Sequence, residues 1–343
     1  MLALLWRWLL LAPALAFVGV SVFAQVGQGW IHSSLLAFVG FDGDLYVVDI
    51  DRSWTRNLTH SPFPETQPVW SPDGAHLLYF SRRDDGWEVY LADAAGNQAR
   101  RLPIDPAQNL RTITWSPDGR WIAYPAVLDG ASDIVVMAVA DGETRNVTQN
   151  PAEDDFPAWS PDSRQLLFTS DRSGSADIFW MALDCGAARC PPRNLTQNPA
   201  LDAMPQWSPD GSEMVFISNR DGGDYDVFTQ GLDGSGVQNI SRNHLDDTGP
   251  QWSPDGQRLL WLSPFNERYD RRIVIGDLSG VQEHSIANQD GNITSAVWSP
   301  DMHYLAFAYA AETTRQVYVM DLRDERWRLV GGGLDGHSPA WKP

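Results

Sequence analysis

Short apolar runs recur along the chain at a constant distance from a tryptophan, and they set the reading of the fold. Leu77-Leu78-Tyr79-Phe80, Leu166-Leu167-Phe168 and Met214-Val215-Phe216-Ile217 each begin a few residues after a Trp-Ser-Pro-Asp tetrapeptide. Runs this short and this apolar predict strands buried on both faces. A segment follows that is expected to alternate, as in Asp44 to Asp49 and Gln316 to Asp321, and then a shorter polar one, as in Arg56-Asn57-Leu58-Thr59. Polarity suits an outer edge strand, which must not recruit other chains. Ahead of each apolar run stands a short strand that ends at the tryptophan, as in Pro157-Ala158-Trp159.

The tetrapeptide starts at Trp70, Trp115, Trp159, Trp207, Trp252 and Trp298, and the chain closes on a cut-down copy, Trp341-Lys342-Pro343. Successive spacings are 45, 44, 48, 45, 46 and 43 residues, a period that marks propeller blades of four strands. Ser-Pro-Asp-Gly makes a tight turn, because Pro pre-sets φ, Asp bonds its own backbone and Gly accepts positive φ. Ser163 and Met302 replace that Gly, so strain is expected there.

Seven copies of each strand type are counted, but the first unit, near Leu35, lacks its own Trp strand. The C-terminus is expected to supply it, with Pro339-Ala340-Trp341 beside Leu36-Ala37-Phe38. The predicted fold is therefore all-β, a seven-bladed propeller of four-stranded antiparallel blades over residues 35–343, closed by its C-terminal strand.

Residues 1–24 read as an export signal: Arg7 carries positive charge, Trp8 to Phe23 are uncharged and mostly apolar, and Val22-Phe23-Ala24 resembles a small-residue cleavage site. The alternative is an uncleaved anchor, a membrane tether through residues 8–24, and residues 25–34 serve as linker in either case. The expected location is the periplasm or the extracellular space. Cys185 and Cys190, the only two cysteines, are then expected to clamp a short loop as a disulfide. A formal charge of −19 argues against nucleic acid, since duplex binding needs cations for its phosphates.

Pro-x-Trp-Ser-Pro-Asp-Gly, an apolar strand, Asp-Ile-Phe or Asp-Leu-Tyr, and then Asn-Leu-Thr resemble the propeller repeats of the TolB family. They are similar also to the propellers of prolyl-oligopeptidase-type enzymes. The resemblance covers residues 35 to 343. It implies a binding scaffold in the cell envelope, whose partner is a protein or a polymeric ligand, rather than an enzyme. Two departures stand out: TolB proteins carry an α/β domain ahead of the propeller, and that propeller has six blades. The enzyme-type resemblance lacks support from a Gly-x-Ser-x-Gly turn, which occurs nowhere in the sequence.

Acidic residues five positions before the repeat Trp, namely Glu65, Asp154, Asp202 and Asp247, with Asp155, Asp246 and Asp335 one position away, are expected at one mouth of the central channel. They are the candidate partner-binding residues, and the plainer role for them is bonding to loop backbone. His60, His244 and His337 fall just before inner strands and are the weak candidates for a metal or for a uronate lyase-like activity on carbohydrate. No cofactor is expected, with calcium at loops 171–177 and 219–226 the alternative, although neither loop has EF-hand spacing. A membrane-anchored sensor or structural module is the remaining alternative. Five Asn-x-Ser/Thr triplets, at Asn57, Asn146, Asn194, Asn239 and Asn292, mostly share one repeat position, and the repeat explains them without glycans. The repeat tryptophans read as wedges between blades, with Trp54, Trp87 and Trp327 as the exposed exceptions.

Overall fold

A computed structural model describes residues 34–343 except 84–85, 106–111, 185–189, 267, 269, 287–290, 312–313 and 331–335. Residues 1–24, which the sequence reads as an export signal or an anchor, and Cys185 and Asp335 lie outside the described residues. Twenty-eight strands, β1 to β28 in chain order, form seven four-stranded sheets. Six of these are consecutive strand quartets, and the seventh joins β28 (Gly336–Trp341), β1 (Leu35–Gly40), β2 (Leu45–Asp49) and β3 (Trp54–Asn57) in that order.

That seventh sheet closes the ring as the sequence predicts. β28 (Gly336–Trp341) pairs antiparallel with β1 (Leu35–Gly40), Leu36 opposite Trp341 and Ala37 opposite Ala340. Lys342 donates its amide to the Leu35 carbonyl at 2.9 Å beyond the strand end. The two ends of the propeller thus share one sheet, and the first blade has the same four strands as the others.

Apolar burial is divided among seams between neighbouring blades. Leu36, Phe38 and Trp341 of the first blade pack with Val297, Val317 and Val319 of the last. Val215 and Val227 of one blade likewise meet Trp252, Leu259 and Trp261 of the next. Because both faces of each sheet are covered in this way, the third strands are less alternating than expected. In β2 (Leu45–Asp49), Val47, Val48 and Asp49 are all buried.

Four of the seven repeat tryptophans tie the seams as well as filling them, whereas the indole nitrogens of Trp115, Trp252 and Trp298 are buried without a partner. The indole N–H of Trp207 donates to the Ala158 carbonyl at 3.0 Å, and Trp70, Trp159 and Trp341 donate to Ala340, Thr114 and Val297. Each acceptor is the residue just before the repeat Trp of the preceding blade. Trp54, Trp87 and Trp327 are indeed exposed, and Trp121 joins them.

The Ser-Pro-Asp turns form as read. Ser208 donates to Asp210 at 2.6 Å and accepts from the Glu213 amide at 3.0 Å, and five other copies repeat the Ser-to-Asp bond. Ser163 and Met302 hold φ of 62° and 59°, so a side chain there sits in a conformation that favours glycine.

Candidate functional site

One end of the ring is built from the loops that leave each outer strand and enter the next inner one, joined by the loops after each apolar strand. Backbone bonds tie these two sets together, as from Asp171 to the Glu153 carbonyl and from Asn219 to the Leu201 carbonyl. The Asn-x-Thr motif organises this end. Asn194 Nδ2 donates to Asp177 at 2.7 Å, Thr196 Oγ1 donates to the same carboxylate at 3.1 Å, and the Asn198 amide donates to it as well. Asp44, Asp133 and Asp226 repeat this lock with Asn57, Asn146 and Asn239. In these four copies the side-chain amide is engaged in holding a loop, which is the physical role of the triplet.

Each of the same four asparagines turns its Oδ1 toward the chain, accepting the amide three residues on. The residue so held, His60, Gln149, Gln197 or Arg242, has a positive φ between 43° and 46° and is exposed. Three kinds of side chain, one histidine, two glutamines and one arginine, are thereby presented to solvent on one repeated backbone frame. Left-handed backbone at non-glycine residues is strained and persists only where surrounding bonds over-determine it.

The predicted acidic ring lies deeper than a rim of free charge. Glu65, Asp154, Asp202 and Asp247 are at most 3% exposed. Asp154 and Asp202 are capped by arginines, with Arg172 Nη2 and Arg220 Nη2 each 2.9 Å from both oxygens of its carboxylate. Both arginines also donate through Nε to a serine at the end of the apolar strand, Ser170 at 2.8 Å and Ser218 at 2.9 Å. Aromatic rings flank each guanidinium: Phe168 and Phe179 for Arg172, Phe216 and Phe228 for Arg220. Sequence reading missed these arginines, although a constant offset of 18 residues from acid to arginine could have found them.

Glu65 and Asp247 lack that cap. Arg83, at the same offset from Glu65, lies over the Phe63 ring at 4.1 Å, and Glu65 Oε2 has no hydrogen-bond partner. The offset from Asp247 falls on Phe265. Asp247 accepts from Asn243 Nδ2 at 2.6 Å through Oδ2, but its Oδ1 and the neighbouring Ser263 Oγ have no partner. Burial pushes the Asp247 carboxyl up to about 6, opposed by Ser263, Ser241 and Asn243 and assisted by the Asp226 charge. Burial raises Asp202 too, but Ser218 and Arg220 pull it back. Glu65 is raised, first by burial and then by Asp44, while Thr59 and Ser61 counter them.

The two flanking acids that are described serve the loops. Asp155 accepts from Thr112 at 3.3 Å, and the exposed Asp246 accepts the Tyr225 amide at 3.1 Å. The histidines occupy three different settings. His60 is a loop tip, His244 is solvent-exposed 3.7 Å from Asp224, and His337 is half-buried and lowered to about 4 by burial and by Arg315. Among the described residues, no three His, Cys, Asp or Glu side chains gather as metal ligands would. In the two loops weighed for calcium, Asp171 and Asn219 spend side-chain oxygens on the amides of Glu153 and Leu201. Cys190 is disulfide-bonded.

A closed ring of seven four-stranded, repeat-locked sheets defines a β-propeller. A family model described as the TolB beta propeller domain matches residues 109–191 and 223–343, more than half of the chain. The chain belongs to this TolB β-propeller family. It is 40% identical over 58 residues to a Tol-Pal system protein TolB from Thioalkalivibrio sulfidiphilus, a match covering 17% of this chain and 13% of that protein. The chain therefore matches well under two thirds of that relative's length. TolB from Acinetobacter baumannii superposes with a TM-score of 0.59 at 20% identity, over 90% of this chain and 67% of that one. An oligogalacturonate lyase from Vibrio parahaemolyticus superposes with a TM-score of 0.64 at 16% identity, over 86% and 84%. Likeness at these identities speaks for the fold alone.

Proposed function

We propose that this protein is an exported, non-catalytic scaffold of the cell envelope that binds a protein partner through the end of the ring carrying His60, Gln149, Gln197 and Arg242. The observation that carries this reading is the shared lock, which spends strain to hold four exposed polar residues of three kinds in one frame. A rigid ring with variable tips suits recognition, because the ordering cost of the loops is met during folding rather than on binding. Membership of the TolB propeller family supports an envelope setting, and the Thioalkalivibrio relative is a Tol-Pal system protein. A carbohydrate enzyme at the same end has only the fold in its support.

Affinity capture from an envelope extract tests the reading. A variant with alanine at all four tips should lose at least tenfold in recovery of its partner while its melting temperature stays near the parent's. Equal recovery by both proteins would remove this end as the binding surface. Mass measurement of the mature protein tests the export reading, which expects a chain beginning at Gln25.

A further inference from the structure

We propose that the Asp247–Ser263 position is a guanidinium site, left without its own arginine and completed by an arginine of the binding partner. The inference rests on the protein-binding reading above and gives it a specific contact. Two sibling blades show what belongs there. Arg172 and Arg220 each span an acid and a serine, with Nη2 at 2.9 Å from both carboxylate oxygens and Nε within 2.9 Å of the hydroxyl. In the blade of Asp247 the acid and the serine remain, both buried, and the arginine is Phe265.

The atoms left over are those the arginine would have met. Asp247 Oδ1 and Ser263 Oγ lie near each other but make no hydrogen bond of ordinary geometry, whereas Asp154, Asp202, Ser170 and Ser218 are engaged; Glu65 Oε2 and Ser81 Oγ are unmet in the same way in the blade whose Arg83 lies over Phe63 instead. Arg272 faces Ser263 across the strand pair, but its Nε is itself buried without a partner, and among the described residues no ion pair joins it to Asp247. Burial lowers Arg271, and the charge of Asp246 opposes that shift.

The aromatic floor is kept in part. Trp261 stands two residues before Ser263, as Phe168 and Phe216 stand before Ser170 and Ser218, and it is fully buried. Geometry selects the ligand class. One planar group must bridge a carboxylate and a hydroxyl through two different nitrogens while lying against a ring, which guanidinium does and ammonium cannot. Half-buried Phe265 is the side chain the incoming group would displace.

The test uses the mature protein alone at pH 8, with methylguanidinium as the probe and methylammonium as its control. Methylguanidinium at low millimolar concentration should raise the melting temperature saturably, by about 2–4 °C at ten times its dissociation constant. Methylammonium should not do so. The shift should vanish in Asp247→Asn and in Phe265→Arg, the second of which restores the sibling arrangement within the chain. No saturable shift in the parent, an equal shift in Asp247→Asn, or equal action by methylammonium would each overturn the site. Because no partner takes part, failure here leaves the capture experiment untouched, and failure of capture leaves this result untouched.

Discussion

Two neighbouring blades share one framework and differ in how they treat a buried carboxylate. Asp202, in the blade β16–β19 (Asp202 to Asn239), sits under Arg220 with both oxygens engaged. Asp247 stands just ahead of the next blade, β20–β23 (Thr248 to Ile286), in the same place relative to its tryptophan; Phe265 holds the position that Arg220 has there, and one carboxylate oxygen is unmet. Burial acts on both, but only Asp202 has a guanidinium to offset it. The comparison teaches that the repeat holds the backbone and the acid in place whether or not the charge is paired. The other blades and the closed ring supply enough burial to tolerate such a group.

The largest effect should come from ending the chain at residue 335, which removes β28 and opens the ring for both blades alike. Loss of one cooperative melting transition is expected by calorimetry, and a truncated protein melting at the parent temperature would contradict the closure. Next comes Arg220→Ala, which leaves Asp202 as a buried charge without its partner. A loss of about 3–5 kcal/mol in urea unfolding at neutral pH is expected, whereas a loss under 1 kcal/mol would make the two blades electrostatically equivalent.

Asp247→Asn should act in the opposite direction. A carboxyl raised from an ordinary 3.8 to about 6 binds more protons folded than unfolded between those values, so its ionisation costs stability increasingly as pH rises through that window. Above pH 6 the full cost applies, about 3 kcal/mol at 1.36 kcal/mol per unit. The variant should therefore be more stable than the parent at pH 8 and equal to it near pH 4, read from urea midpoints at both pH values. An unchanged difference across that range would show that the carboxyl finds a partner in solution.

Asn194→Ala and Asn239→Ala, matched changes in the locks of two successive blades, should each cost about 1–3 kcal/mol, because a buried carboxylate loses a donor. Asn239 holds the Asp226 that lies beside Asp247, so its loss should also move the pH dependence of that region, and Asn194→Ala should not. Smallest is Met302→Gly, which relieves a φ of 59° and should gain about 0.5–1 kcal/mol.

Blade number, strand order and ring closure were readable because each is carried by local signals repeated in phase. A tryptophan, a turn and an apolar run say the same thing six times, and the missing first Trp strand has its copy at Trp341. The acidic positions were readable as a repeated feature, but their burial was not. Whether Asp154 and Asp202 end as rim charges or as capped core groups depends on arginines 18 residues away, which meet them only once two strands are laid side by side. The exposed tips were hidden for the same reason. Nothing local distinguishes Gln149 or Gln197 from other polar loop residues until the Asp–Asn lock bends the chain into positive φ.

The sequence by itself determined the architecture, since hydrophobic period and turn chemistry act over a few residues and recur too often for another fold to satisfy them. Only the tertiary structure decided which carboxylates are paired, which loop residues face solvent and where a buried acid lacks its cation. Those outcomes depend on distances between segments far apart in the chain, and electrostatic and hydrogen-bond energies change steeply with such distances once water is excluded.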